Sequence, residues 1–181
     1  MKTKYILLFT IPILFSLNSK AQNLSSTQGN TSLGIGVGLP YGGIGLKINH
    51  NIKDHLSLFG GLGYNTLGLG ANFGMNYIFP TEKTTEFFLT AMLGYNAVIN
   101  IENIPEYQNT YYGLSIGPGI KLNSRRYEER YWDLGLLLPF RSSNYRNDLE
   151  ALENNPNITI ESKPFPVQIF VGYNIPISSR K

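Results

Sequence analysis

The chain has 181 residues, 15 basic and 12 acidic, with 19 glycines and no cysteine. That length suits one domain, and without cysteine there is no disulfide, thiolate metal site or cysteine nucleophile. The formal charge of +3 comes entirely from Lys2, Lys4 and Lys20; the rest carries 12 residues of each sign, so the basic pI gives no support for nucleic-acid binding.

Residues 1–21 read as a secretory signal. Lys2 and Lys4 form a basic start, residues 5–17 an apolar core, and Ser19-Lys20-Ala21 the small-residue site before a cut at Ala21/Gln22. The apolar run is too short for a spanning anchor, and no cysteine follows it to carry a lipid. Residues 22–30 are polar and read as a flexible segment.

From residue 31 to 177 the chain alternates apolar and small or polar residues, which is the period of a β-strand. Strand one, 31–40, sets Leu33, Ile35, Val37 and Leu39 against Gly34, Gly36 and Gly38. A tight turn is expected at Pro40-Tyr41-Gly42. Strand two, 43–50, sets Ile44, Leu46 and Ile48 against Gly45, Lys47 and Asn49, and a polar turn is expected at 51–54. Strands three, 55–64, and four, 66–79, continue the pattern across a turn at Asn65.

After a turn at 80–86 comes the longest run, 87–101. Its odd positions are Phe87, Leu89, Ala91, Leu93, Tyr95, Ala97 and Ile99; its even positions include Thr90, Gly94, Asn96 and Asn100. Such a strand far exceeds the usual length of about five or six residues. Strand six is 111–122, where Pro118 on the apolar face predicts a bulge or broken pairing. Strand seven is 131–140 and strand eight 166–175, separated by the longest loop, 141–165.

Eight antiparallel strands can close into a barrel without an exposed edge. Three features put the apolar face outside. The second face is built of Gly, Asn, Ser and Thr, which suits a narrow interior. Charge is nearly absent from the strands, and its clear exceptions, Lys47, Lys121 and Asp133, share the Gly-rich face. Large aromatics, Tyr64, Tyr77, Phe79, Phe87, Tyr112, Trp132 and Phe140, cluster at strand ends on the apolar face, as girdles flanking a membrane-spanning band do. The expected fold is an all-β, eight-stranded, antiparallel up-and-down transmembrane barrel. Short turns at 51–54, 80–86 and 123–130 place both termini in the periplasm and the longer loops outside the cell.

The pattern resembles the small eight-stranded outer-membrane β-barrel proteins, similar to OmpX and the OmpA transmembrane domain. The likeness covers residues 31–177 and rests on strand count, alternation and girdles. It implies a Gram-negative outer-membrane, porin-like barrel in contact with membrane lipid and lipopolysaccharide and inserted by the barrel assembly machinery. It further implies a structural or surface-interaction role, with a narrow pore or carrier of hydrophobic molecules as the alternative and a lipid A-modifying enzyme below that. The end of the chain, Ser178-Ser179-Arg180-Lys181, lacks the terminal aromatic common in such proteins.

Few residues carry chemistry. His50, His55 and Asp54 sit about one turn and read as polar interface residues rather than a metal pair or general base. Lys47, Lys121 and Asp133 read as a mutually paired plug rather than a charged constriction. No catalytic residue, cofactor or metal is expected. Arg125, Arg126, Glu128, Glu129 and Arg130 form a solvated turn. The loop 141–165 is the expected contact region for a surface partner, with helical turns in 148–155 capped by Asp148. Asn157-Ile158-Thr159 matches a glycosylation acceptor, a pattern common by chance.

Overall fold

The chain is described by a computed structural model, over residues 27–65, 67–81, 84–99, 109–127, 129–155 and 165–178. Its eight strands are β1 (Thr31–Gly38), β2 (Gly43–Lys53), β3 (Leu56–Tyr64), β4 (Leu69–Ile78), β5 (Thr85–Ile99), β6 (Asn109–Asn123), β7 (Tyr131–Phe140) and β8 (Gln168–Ser178). Each pairs antiparallel with the next, and β8 pairs back to β1, so the sheet is a closed up-and-down barrel. Closure leaves no edge for further pairing. The strand ends near both chain termini form one mouth, the termini end; the other is the loop end. Among the described residues, a 3-10 turn (Leu39–Tyr41) and one helix, α1 (Ser143–Glu153), complete the regular structure.

The faces divide as the alternation requires. Along β4, exposed Leu69, Ala71, Phe73, Met75 and Tyr77 alternate with buried Gly70, Asn72, Gly74, Asn76 and Ile78. Most of the large apolar residues point outward, with Leu62 65% exposed, Leu93 62% and Ile169 73%. The glycines, amides and charges point into the lumen, where Lys47 is 4% exposed, together with a few large apolar side chains such as Phe59, Phe88 and Leu137.

Departures from strict alternation each have a local cause. Strand β2 runs on to Lys53, past the turn expected at 51–54, and only Asp54 and His55 turn the chain. A register shift between Asn51 and Lys53 absorbs the extra residue. The connection after β1 is not a surface turn. Leu39, Pro40 and Tyr41 fold inward and are buried, with the chain reversed through left-handed Gly42 at φ 70° and Gly43 at φ 113°. Residue types other than glycine rarely adopt those angles.

Strand β5 contains a bulge. Gly94 takes φ 145°, and the pairing with β6 shifts between Tyr95 and Ala97. Asn96 and Ala97 are then both buried in succession, as one inserted residue requires. Tyr95 packs against the interior, and Ala97 and Ile99 turn inward, so the outward placement expected for these three is corrected. At Pro118 the ladder to β5 is unbroken, whereas the ladder to β7 lapses at 117–118 and resumes in the same register. The missing donor interrupts pairing without a bulge.

The lumen is filled rather than hollow at mid-height. Leu39, Tyr41, Phe59, Ile78, Phe88, Met92, Leu137 and Phe170 form one buried apolar cluster across it. The inward glycines are sockets for this cluster. A Cβ at Gly61 would overlap the Pro40 carbonyl, at Gly172 the Tyr41 phenol, at Gly119 the Phe88 ring and at Gly135 the Phe170 ring. Glycine is required there because backbone and rings approach at contact distance.

Candidate functional site

Below the apolar layer, towards the termini end, lies the charged part of the lumen. Lys47 of β2 and Asp133 of β7 project inward from strands three places apart around the wall and form an ion pair, both almost fully buried. Asp133 also accepts a hydrogen bond from the Tyr41 hydroxyl at 2.6 Å through its other oxygen, Oδ1. The Lys47 ammonium stands 4.7 Å from the Tyr41 ring centre and 5.6 Å from that of Phe59. A buried charge is tolerated only when paired and further hydrogen-bonded, and both conditions hold here.

Lys121 does not join that pair, although Asp133 is its register partner on β7. It bonds instead to Glu86 of β5 at 3.2 Å and lies 4.7 Å over the Tyr131 ring. Asn123 donates to the same Glu86 carboxylate. The lumen thus holds two separate pairs where the sequence suggests one cluster of three. The sequence reads Glu86 as the end of a turn, yet its even number places it on the same face as Phe88 and Thr90.

A chain of amides and hydroxyls lines the rest of this half. Thr90 Oγ1 donates to Asn76 at 2.6 Å; Asn76 donates to Asn49 and to Ser57, each at 3.2 Å. Asn49 donates to Asn51 at 3.3 Å, and Asn51 to the Thr27 carbonyl at 3.2 Å. Ser32 and Tyr131 share a hydrogen bond of 2.8 Å. Together these walls enclose a cavity of about 220 Å³ that opens at the termini end.

Thr27–Asn30 runs beside that mouth. The Thr27 and Gln28 amides donate to Asp54 Oδ1 at 2.8 and 3.2 Å, and the Gly29 amide donates to the Asn51 carbonyl at 2.7 Å. The Asn30 side chain donates to Glu129 at 2.9 Å, across to the β6–β7 turn. Glu129 holds a left-handed backbone at φ 62°. The described part of the segment read as flexible is therefore tied down, and residues 22–26 and the stretch 1–21 that reads as a secretory signal lie outside the described residues.

The two histidines are apart in their contacts. His50 Nδ1 shares a hydrogen bond of 2.9 Å with Thr31, and His55 meets the Tyr77 ring edge-on at 5.7 Å. Among the described residues no group of three His, Cys, Asp or Glu is placed to hold a metal ion.

At the loop end, α1 sits against the tall β5–β6 hairpin. Ser142, not Asp148, caps the helix, its Oγ accepting the Tyr145 amide at 3.3 Å. The helix also begins earlier than expected. Asp148 instead accepts the Tyr111 hydroxyl at 2.6 Å. Tyr145 and Leu152 pack with Ala97, Ile99 and Tyr111, and the two tyrosine rings meet edge-to-face at 5.2 Å. Burial pushes the Tyr145 phenol up, and the Arg141 guanidinium, 5.1 Å from its ring, draws it back down. The tips at 102–108 and 156–164, including the match at 157–159, lie outside the described residues.

On the outer wall the seven aromatics fall into two groups. Tyr77, Phe79, Phe87 and Trp132 stand at the termini end, and Tyr64, Tyr112 and Phe140 at the loop end; all seven are exposed.

Neither a family model nor a curated protein matches the chain. Among solved structures, the crystal structure of the N-terminal β-barrel domain of Pseudomonas aeruginosa OprF is similar, at 15% identity and a TM-score of 0.47, over 82% of this chain and 98% of that one.

Proposed function

We propose that the protein is a bacterial outer-membrane β-barrel with a structural or surface-interaction role. The observation that carries this reading is the inverted polarity of the barrel. Its outer wall bears Ile35, Leu62, Phe73, Leu93 and Ile169 to the surroundings, while Lys47 and Asp133 are buried inside. In water that arrangement would expose a continuous apolar band, which soluble monomers rarely do. In a bilayer the band meets hydrocarbon, and the two aromatic groups meet its interfaces. Six strands of 8–11 residues fit the roughly 9–11 of a tilted spanning strand.

In this reading the termini end faces the periplasm and the loop end, with α1, faces outward. Membrane lipid and lipopolysaccharide surround the wall, the assembly machinery inserts the chain, and loop 141–165 meets any surface partner. Fractionation with a heat-modifiability gel tests the reading: the folded form should stay with the outer membrane and shift mobility on boiling. A soluble protein without that shift would overturn it.

The narrow-pore alternative requires passage through the layer of Tyr41, Phe59, Phe88, Met92, Leu137 and Phe170. Planar-bilayer recording decides it, since steady conductance steps abolished by Lys121→Ala would favour the pore. A lipid A-modifying activity would alter lipid A between wild-type and deletion strains by mass spectrometry.

A further inference from the structure

The cavity at the termini end has properties that neither a barrel wall nor a pore requires. It is closed towards the loop end by the Lys47–Asp133 pair and by the apolar layer to which its own lining residues Phe88 and Ile78 belong, so it is blind. Whatever enters must leave by the same mouth, which is the behaviour of a binding cup. Four of the five charges on its lining are paired in place, Lys47 with Asp133 and Lys121 with Glu86, and the fifth, Glu129, takes the Asn30 side-chain amide at the mouth. An ionic ligand would have to compete with both pairs.

What remains for recognition on the walls inside the mouth is neutral. Asn49, Asn51, Asn76 and Asn123 present side-chain amides, and Ser32, Ser57 and Thr31 present hydroxyls. Each amide has two donor hydrogens and an acceptor oxygen with two lone pairs. The bonds within the Asn51–Asn49–Asn76–Ser57 chain are 3.2–3.3 Å long, and no member has all its hydrogen-bonding capacity used by them. The Phe88 side chain supplies an apolar element beside them. At about 220 Å³ the cup is below the roughly 300–1,000 Å³ of a drug-sized pocket, which limits an occupant to about one ring.

We propose that this cup binds one neutral sugar ring, whose hydroxyls exchange donors and acceptors with the asparagine amides while its C–H face lies towards Phe88. The argument stands on the lumen alone and does not depend on which side of a membrane the mouth faces. A failed titration and a failed membrane assignment are therefore separate results.

The test is a titration of folded, isotope-labelled protein with glucose and N-acetylglucosamine, following the side-chain amide resonances by NMR. Nanodiscs serve if the protein inserts, and buffer if it proves soluble. Saturable shifts confined to the amides of Asn49, Asn51, Asn76 and Asn123 are expected for at least one sugar. Cyclohexanol, a ring of similar size with one hydroxyl, should give none. Asn51→Ala at the mouth and Ser57→Ala on the wall are small enough to leave the barrel folded. Each should weaken binding roughly three- to ten-fold, as loss of one hydrogen bond does, whereas Gly60→Ala on the outer wall should not. Absence of saturable shifts, equal shifts with cyclohexanol, or binding unchanged in both cup variants would overturn the proposal.

Discussion

The two halves of the lumen solve the same problem, filling a narrow cylinder, by opposite means. Towards the termini end the filling is polar, and paired charges and linked amides leave a cavity among them. At mid-height it is apolar and close-packed, with the chain's own first connection folded in as the stopper. Polar filling fixes orientation through hydrogen bonds but needs every partner. Apolar filling tolerates small changes but needs space, which here means glycine in the wall. The two halves should therefore fail differently.

The largest effect is expected from leaving one lumen charge alone. Asp133→Ala strands Lys47 in the interior and should cost about 3–5 kcal/mol of unfolding free energy, read by urea titration in lipid. The double variant Lys47→Met/Asp133→Leu should recover most of that loss. If it is as unstable as the single variant, polar filling contributes more than mutual charge compensation.

Next in size is the outer wall. Leu93→Arg places a cation at mid-strand on the apolar face and should cost about 2–4 kcal/mol in a bilayer. Its neighbour is no mild control: Gly94 has φ 145°, and a side chain there would strike Asn72. Spin labels at Leu93 and at exposed Ile169 should both relax strongly with oxygen if lipid surrounds the wall; weak relaxation at both would contradict it.

A smaller effect separates two adjacent glycines. Gly61→Ala pushes on the Pro40 carbonyl and should cost about 1–3 kcal/mol, as overpacking does. Gly60→Ala faces outward with nothing within 4 Å and should stay within about 0.5 kcal/mol. The smallest is Ser142→Ala, about 1 kcal/mol, confined to α1 and visible as faster proteolysis of the loop while global unfolding is unchanged.

The alternation made the eight strands legible because each has one face to bury and one to expose. It stopped being informative where the backbone leaves that period. The bulge at Asn96 reverses parity without changing residue type, so Ala97 and Ile99 look outward on paper and lie inward in space. Pro40-Tyr41-Gly42 has the composition of a surface turn. Its inward fold is encoded instead by nearby Gly45 and by distant glycines at 61, 63 and 172, and no local rule connects the distant ones to it. The candidate site was legible in part for a similar reason. The lumen-facing parity of Lys47, Lys121 and Asp133 could be read, but not the partner each charge chooses, because that depends on side chains meeting across the cylinder.

The inward turn also constrains the order of events in folding. Tyr41 belongs to the first connection made during synthesis, yet its hydroxyl bonds to Asp133 on β7 and to Asn174 on β8. Those partners are separated from it by 92 and 133 residues. Contacts so distant form late, because a long loop must first be closed. The stopper can enter early, but it is fastened only when the last two strands arrive at the seam with β1. Closing the cylinder and locking its interior are then one kinetic step, and Tyr41→Phe should speed reopening of that seam more than it slows its closure.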